Sequence, residues 1–199
     1  MGYNVWDVQK WLGYLTENEV VTLQKFADEL PGGSIIINIG AGGGTSGLLF
    51  AEKLKEKSKL YTIDVQDESS PFGCLHGERR VFRRAGLSWM KDKQWFQIHS
   101  NSVAVGRSWH QTQPPVDFVF VDGDHAYDGC AGDIRAWVPN IKAGGHIAIH
   151  DYGKKDNAAF RYDVDRAVKE LLIPSMYIAC QMDALIVFEV DGSAWDAWS

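Results

Sequence analysis

The stretch Ile35-Ile36-Ile37-Asn38-Ile39-Gly40-Ala41-Gly42-Gly43-Gly44-Thr45-Ser46 decides the fold of this 199-residue chain. A β-branched run without alternation reads as a strand buried on both faces, as strands of a parallel sheet are. It stops at glycines spaced G-x-G-x-G, and a helical stretch follows from about Ser46 to Lys57. Strand, glycine turn and helix together form the opening of a nucleotide-binding α/β domain. Glycine lets a ligand approach bare backbone, and the helix N-terminus offers unpaired N–H groups. The plain alternative is a tight strand-to-helix turn that binds nothing.

The loop does not fit a phosphate binder. The dinucleotide form G-x-G-x-x-G wants a third small residue where Thr45 stands, and no lysine follows Gly44 or Gly47 as a phosphate loop requires. The next strand, Lys59 to Ile63, ends at Asp64. An acidic residue roughly 20 positions beyond the loop suits the two hydroxyls of a ribose. A capping or solvated aspartate is the alternative. Loop and aspartate together favour an adenosine-containing ligand that lacks a pyrophosphate.

Around this centre the elements alternate. Thr16-Glu17-Asn18-Glu19 has capping-box spacing, and Val20, Leu23, Phe26 and Leu30 follow at helical intervals, up to Pro31-Gly32-Gly33. Strands are predicted over Ser34 to Ile39, Lys59 to Ile63, Trp95 to His99, Val116 to Val121 and His146 to Ile149, the last opened by Gly144-Gly145. Helices are predicted over Tyr127 to Val138 and about Val164 to Leu172. Met176 to Gln181 and Ala184 to Val190 read as a hairpin across Met182-Asp183. The fold class is α/β: a Rossmann-like doubly wound sheet, mostly parallel with an antiparallel C-terminal hairpin, and helices on both faces. Residues 1–199 read as one domain, with a helical segment over 1–33 and a tail over 191–199. Residues 66–94 are longer than a plain connection. They read as a lid or substrate insertion, or else as a surface excursion carrying one ordinary helix.

Composition narrows the function. Hydrophobic residues make up 45% and charged residues 23%, an ordinary globular balance. A net charge of −6 argues against a general nucleic-acid surface. Cys74, Cys130 and Cys180 have no paired spacing, which argues against a disulfide framework and a structural zinc site. No basic-then-apolar leader and no membrane-length apolar run is present, so a cytoplasmic location and no membrane partner are expected.

The second informative stretch is Val116-Asp117-Phe118-Val119-Phe120-Val121-Asp122-Gly123-Asp124-His125-Ala126-Tyr127-Asp128. A buried strand delivers Asp122, Asp124 and His125 at its carboxyl end. The next strand ends in His150-Asp151-Tyr152. Ligands of open α/β sheets bind outside the carboxyl ends of strands. If the two strands are neighbours, roughly 5 Å apart, both clusters meet in one crevice. Asp122 and Asp151, with His150, then resemble a hard-cation site suited to Mg²⁺ or Mn²⁺. Asp124 is placed to cap the following helix, which leaves His125 facing the crevice as a proton acceptor.

The chain resembles class I S-adenosylmethionine-dependent methyltransferases over roughly residues 16 to 190. The pair Asp122-Gly-Asp-His125-x-Tyr127 and Gly144-Gly145-x4-His150-Asp151-Tyr152 is similar to the branch of macrolide-sugar and aminocoumarin-sugar O-methyltransferases. The resemblance implies that Gly40, Ala41 and Gly42 lie against the methionine part of the cofactor and that Ser46 meets its carboxylate. It implies that Asp64 takes the ribose hydroxyls and that Asn101 and Ser102 lie beside the adenine. Asp122 and Asp151 would bind the cation holding the acceptor hydroxyl, and Asp124 or His125 would be the base. Asn38 departs from the pattern, because many members carry an acidic residue there. The implied partner is a small-molecule acceptor, a sugar or phenol hydroxyl. Separately, Trp195 and Trp198 in the tail read as packing back on the sheet edge or as partly disordered, with a homo-oligomer contact as the alternative. The competing classes are a nicotinamide-dependent oxidoreductase, a metal-dependent hydrolase and a non-catalytic cofactor-binding protein.

Overall fold

The computed structural model describes residues 2–66, 74–156 and 162–192. The chain divides into two compact units, Met1–Asn101 and Ser102–Ser199.

The first unit opens with α1 (Val5–Leu12) and α2 (Glu17–Glu29). Both begin with a capping box. Thr16 Oγ1 accepts the Glu19 N–H at 3.2 Å, and the Glu19 carboxylate accepts the Thr16 N–H at 2.8 Å, as the spacing predicts. The same device at Asn4 and Asp7 starts α1. Then come β1 (Ile35–Ile39), α3 (Thr45–Ala51), β2 (Lys59–Asp64), α4 (Cys74–Arg84) and β3 (Trp95–His99). The strands are parallel in the order β3-β2-β1, and every residue of β1 is buried. The sequence predicts a helix reaching Lys57, but α3 stops at Ala51. All seven of its residues are buried, whereas the next six are mostly charged. Glu52 leaves the helix to accept the Val5 N–H at 2.8 Å, and Lys57, at φ 65°, turns the chain into β2.

The described part of the long 66–94 segment is largely α4, the crossover helix between β2 and β3. Its Phe82 stacks on Trp95 of β3, with ring centroids 3.8 Å apart. The stretch 67–73 of the proposed lid lies outside the described residues.

The second unit contains α5 (Ser102–Thr112), β4 (Val116–Val121), α6 (Tyr127–Trp137), β5 (Ile141–Ile149), α7 (Val164–Leu171), β6 (Tyr177–Met182) and β7 (Leu185–Val190). β4 and β5 are parallel, β7 runs antiparallel to β5, and β6 to β7, in the order β4-β5-β7-β6. β5 starts five residues before the predicted His146. Ile141 pairs with Val116 and His146 with Phe118, so the register slips between them and Gly144-Gly145 lies within the strand. Gly144 takes φ 76°, and a Cβ on Gly145 would stand 2.7 Å from Ile141 Cγ2 and 2.9 Å from the Asp117 carbonyl oxygen. The glycines read as a strand start because they carry this irregularity. Phe118, Phe120, Trp137, Ile147 and Phe188 fill the core of this unit.

Seven strands, mostly parallel with an antiparallel C-terminal hairpin, and seven α-helices among the described residues make a Rossmann-like α/β fold. No helix among the described residues is long and apolar enough to cross a membrane. The tail tryptophans, Trp195 and Trp198, lie outside the described residues.

Candidate active site

In the first unit the glycine loop is pinned to the end of β2. Gly40, Gly42 and Gly44 have φ of 89°, 47° and 94°, backbone that side chains disfavour. The Gly40 N–H donates to the Ile63 carbonyl at 2.9 Å. One oxygen of Asp64 accepts the Ala41 N–H and the other the Gln66 N–H, each at 2.8 Å. Asp64 therefore fixes the loop itself. A carboxylate oxygen has two lone-pair sites, so each oxygen keeps acceptor capacity for a ligand hydroxyl. Ala41 and Ser46 are buried, Gly42 is exposed, and the Tyr14 ring approaches Gly42. Asn101, after β3, is exposed.

Behind the loop stands a group absent from the sequence reading. Glu78 of α4 is fully buried. Its Oε1 accepts from the Thr62 hydroxyl at 2.8 Å and its Oε2 from the Gln97 amide at 2.6 Å. Burial pushes its carboxyl up to about 7 against these hydrogen bonds, and nearby Asp64 pushes the same way. The signal was available: Glu78 shares the helix face of Leu75 and Phe82, three and four positions away.

In the second unit the two acidic clusters do meet. Val121 and Ile149 are in register, and the His150 N–H donates to the Val121 carbonyl at 3.0 Å. Successive strand residues would point to opposite faces. Asp151 breaks that alternation with a left-handed φ of 62°. Its Oδ2 lies 2.7 Å from His125 Nδ1, its Oδ1 lies 3.2 Å from His150 Nδ1, and Lys154 Nζ contacts the same Oδ1. His150, buried, also sets Nδ1 2.9 Å from Asp122 Oδ1, which makes Asp122 its hydrogen-bond partner, with Asp151 close beside it. Burial pushes Asp151 upward, but His125, His150 and Lys154 outweigh it and hold the carboxyl at about 2. The hydrogen bond to Asp151 raises the His125 imidazole above its ordinary value, against partial burial.

Asp122, His125 and Asp151 carry ligand atoms that all lie within 4.8 Å of one another. Two carboxylates and an imidazole suit a divalent cation such as Mn²⁺ or Mg²⁺. The sequence placed His150 in that set, whereas the grouped imidazole is His125. Asp124 is exposed and does not cap α6. Its Oδ1 accepts the Ala126 N–H at 2.9 Å, one residue short of the helix, and Ala126 is the N-cap. Ser102, at the start of α5, gives its hydroxyl to Asp133 at 2.5 Å.

A family model described as a methyltransferase domain matches residues 37–152, more than half of the chain. The chain belongs to the methyltransferase-domain family. The match runs from β1 and the glycine loop through His150-Asp151-Tyr152. Solved structures with the same fold include an O-methyltransferase from Bacillus cereus in complex with SAH (16% identity, TM-score 0.66, covering 93% of this chain and 88% of that one). Another is the O-methyltransferase TomG from Streptomyces achromogenes, involved in tomaymycin synthesis, in complex with SAM (18% identity, TM-score 0.63, covering 96% and 97%). A third is an rRNA methylase from Streptococcus thermophilus (17% identity, TM-score 0.62, covering 89% and 99%).

Proposed function

We propose that this methyltransferase moves a methyl group from S-adenosylmethionine to a hydroxyl of a small molecule, with a divalent cation assisting. The observation that carries the reading is the convergence of Asp122, His125 and Asp151 within 4.8 Å at the carboxyl ends of β4 and β5. A glycine loop tied to Asp64 in the first unit supplies the donor half. S-adenosylmethionine held there would supply a sulfonium methyl for in-line transfer to the acceptor oxygen, with S-adenosylhomocysteine as the leaving thioether and the hydroxyl proton passing to a base on the chain. A Mg²⁺ or Mn²⁺ held by Asp122 and Asp151 would lower the pKa of that hydroxyl and fix its direction.

The chain's residues do the rest. Gly40, Ala41 and Gly42 offer backbone to the methionine part, Ser46 meets its carboxylate, and Asp64 accepts from the ribose hydroxyls. Asn101 and Ser102 serve the adenine. Asp122 and Asp151 would hold the cation, and His150 orients Asp122. His125 directs Nδ1 at Asp151, which leaves Nε2 to take the acceptor proton. A second reading follows from the same grouping: His125 is the third ligand, with Asp124 the base. The O-methyltransferase neighbours support an oxygen acceptor, and the resemblance carried by Asp122-Gly-Asp-His125-x-Tyr127 makes a sugar or phenol hydroxyl its class. The rRNA methylase neighbour makes RNA the competing acceptor, which the net charge of −6 disfavours.

The test is transfer of labelled methyl from S-adenosylmethionine to a panel of sugar, phenol and RNA acceptors. Excess chelator is expected to abolish transfer, and Mg²⁺ or Mn²⁺ to restore it. Full activity in chelator overturns the cation role. Unchanged cation affinity in His125→Ala favours the base assignment over the ligand one.

A further inference from the structure

Beneath the glycine loop lies a buried polar layer that the donor residues do not use. Asn38, Thr62 and Gln97 are partners in register across β1, β2 and β3, so they stand in one row. Glu78 closes the row from α4 through Thr62 and Gln97. Gln97 is itself fixed, accepting from Arg79 at 2.8 Å and donating to the Leu75 carbonyl at 2.9 Å. Its amide therefore presents N–H to Glu78. The same carboxylate lies against the helix that the loop opens. A Cβ on Gly47 would stand 1.9 Å from Glu78 Oε1, and one on Gly44 would stand 2.8 Å from Glu78 Cα. Thr62 lies two residues before Asp64 on β2, and Asp64 holds the loop at Ala41.

We propose that Glu78 is a positioning residue for the cofactor: it locks the first turn of α3 against β2 and so sets the loop relative to Asp64. The proposal rests on the reading that this loop and Asp64 hold S-adenosylmethionine. Ionised, Glu78 accepts from both Thr62 and Gln97, and its charge favours a cationic cofactor. Its carboxyl changes state at about 7, so cofactor affinity follows that change. Among the elements packed on it, Asp64 on β2 and Arg79 on α4, through Gln97, are the charged neighbours. β1 and α3 carry no titratable side chain, and His99 lies two residues past Gln97 on β3.

The experiment is calorimetric titration of S-adenosylmethionine into wild type and Glu78→Gln between pH 6 and 8. The ratio of the two dissociation constants cancels the titration of the ligand and of every group the two proteins share. Near pH 6 the ratio is expected to lie within twofold of one. At pH 8 the variant is expected to bind at least fivefold more weakly. A ratio constant across the range overturns the proposal, whatever its size. Wild type alone gives a second measurement: at pH 6.5, titrations in buffers of different ionisation enthalpy are expected to show proton release on binding. Zero release overturns the proposal too. Absence of any wild-type binding defeats the cofactor reading and this proposal with it, whereas binding with a constant ratio defeats the proposal alone.

Discussion

Two buried carboxylates, Glu78 in the first unit and Asp151 in the second, are held on opposite sides of their ordinary range. Glu78 sits at about 7, and Asp151 at about 2. Both pay for desolvation. The difference lies in their partners. Glu78 receives hydrogen bonds from a hydroxyl and an amide, which are neutral. Asp151 faces two imidazoles and an ammonium. Neutral donors moderate the burial penalty of a charge, whereas an ammonium together with two imidazoles reverses it. The first arrangement suits a loop that must be held in shape, and the second suits a place prepared for positive charge.

The sharpest way to break the contrast is Asp151→Asn. It leaves His125 and Lys154 without their carboxylate partner, while His150 keeps Asp122. Unfolding free energy is expected to fall by roughly 2–3 kcal/mol, less than for fully buried pairs because His125 and Lys154 are partly exposed. Cation affinity is expected to fall by more than about a hundredfold, beyond what removing a group that only orients a ligand costs. Denaturant titration and calorimetry at pH 7 check both. Unchanged stability would mean that the ion network contributes nothing.

Glu78→Gln tests the other half and carries the opposite sign. The folded protein keeps the Glu78 proton up to about pH 7, while the unfolded chain releases it near 4.5. The folded state binds more protons across that window, so stability falls as pH rises through it. The glutamine removes this slope. The variant is expected to be more stable than wild type by up to about 3 kcal/mol at pH 8, and by little near pH 5. Thermal melts at both values measure it. A variant less stable than wild type at pH 8 would place the Glu78 charge among the stabilising groups. Greater stability with weaker cofactor binding is the combination the positioning role requires.

Much of this was legible in the sequence, for identifiable reasons. Largely apolar runs mark strands buried on both faces: Val116–Val121 has the boundaries that pattern gives and is buried throughout, as β1 is. The capping box at Thr16 depends on local chemistry alone, and it forms as read. The convergence of Asp122 and Asp151 needed one tertiary assumption, that β4 and β5 are neighbours, and they are. What escaped depends on side-chain direction and packing. That His125 stands beside Asp151 as well as His150 depends on the left-handed backbone at Asp151, which alternation does not give. α3 stops short of Lys57 because Glu52 is drawn to the start of α1. β5 begins early because its glycines sit inside a register slip. Glu78 stands among four arginines in α4 and was not singled out, although its spacing from Leu75 and Phe82 puts it on the apolar face.

The central claim is that the loop at Gly40–Gly44, with Asp64, holds S-adenosylmethionine rather than a dinucleotide. Calorimetric titration of S-adenosylmethionine and NAD into wild type and Asp64→Ala tests it without any knowledge of the acceptor. Wild type is expected to bind S-adenosylmethionine well above NAD. Asp64→Ala is expected to remain folded and bind at least about tenfold more weakly, since hydrogen bonds to a charged group contribute roughly 1.5–3 kcal/mol each. Wild-type affinity for S-adenosylmethionine no better than for NAD, or full affinity in Asp64→Ala, would contradict the account.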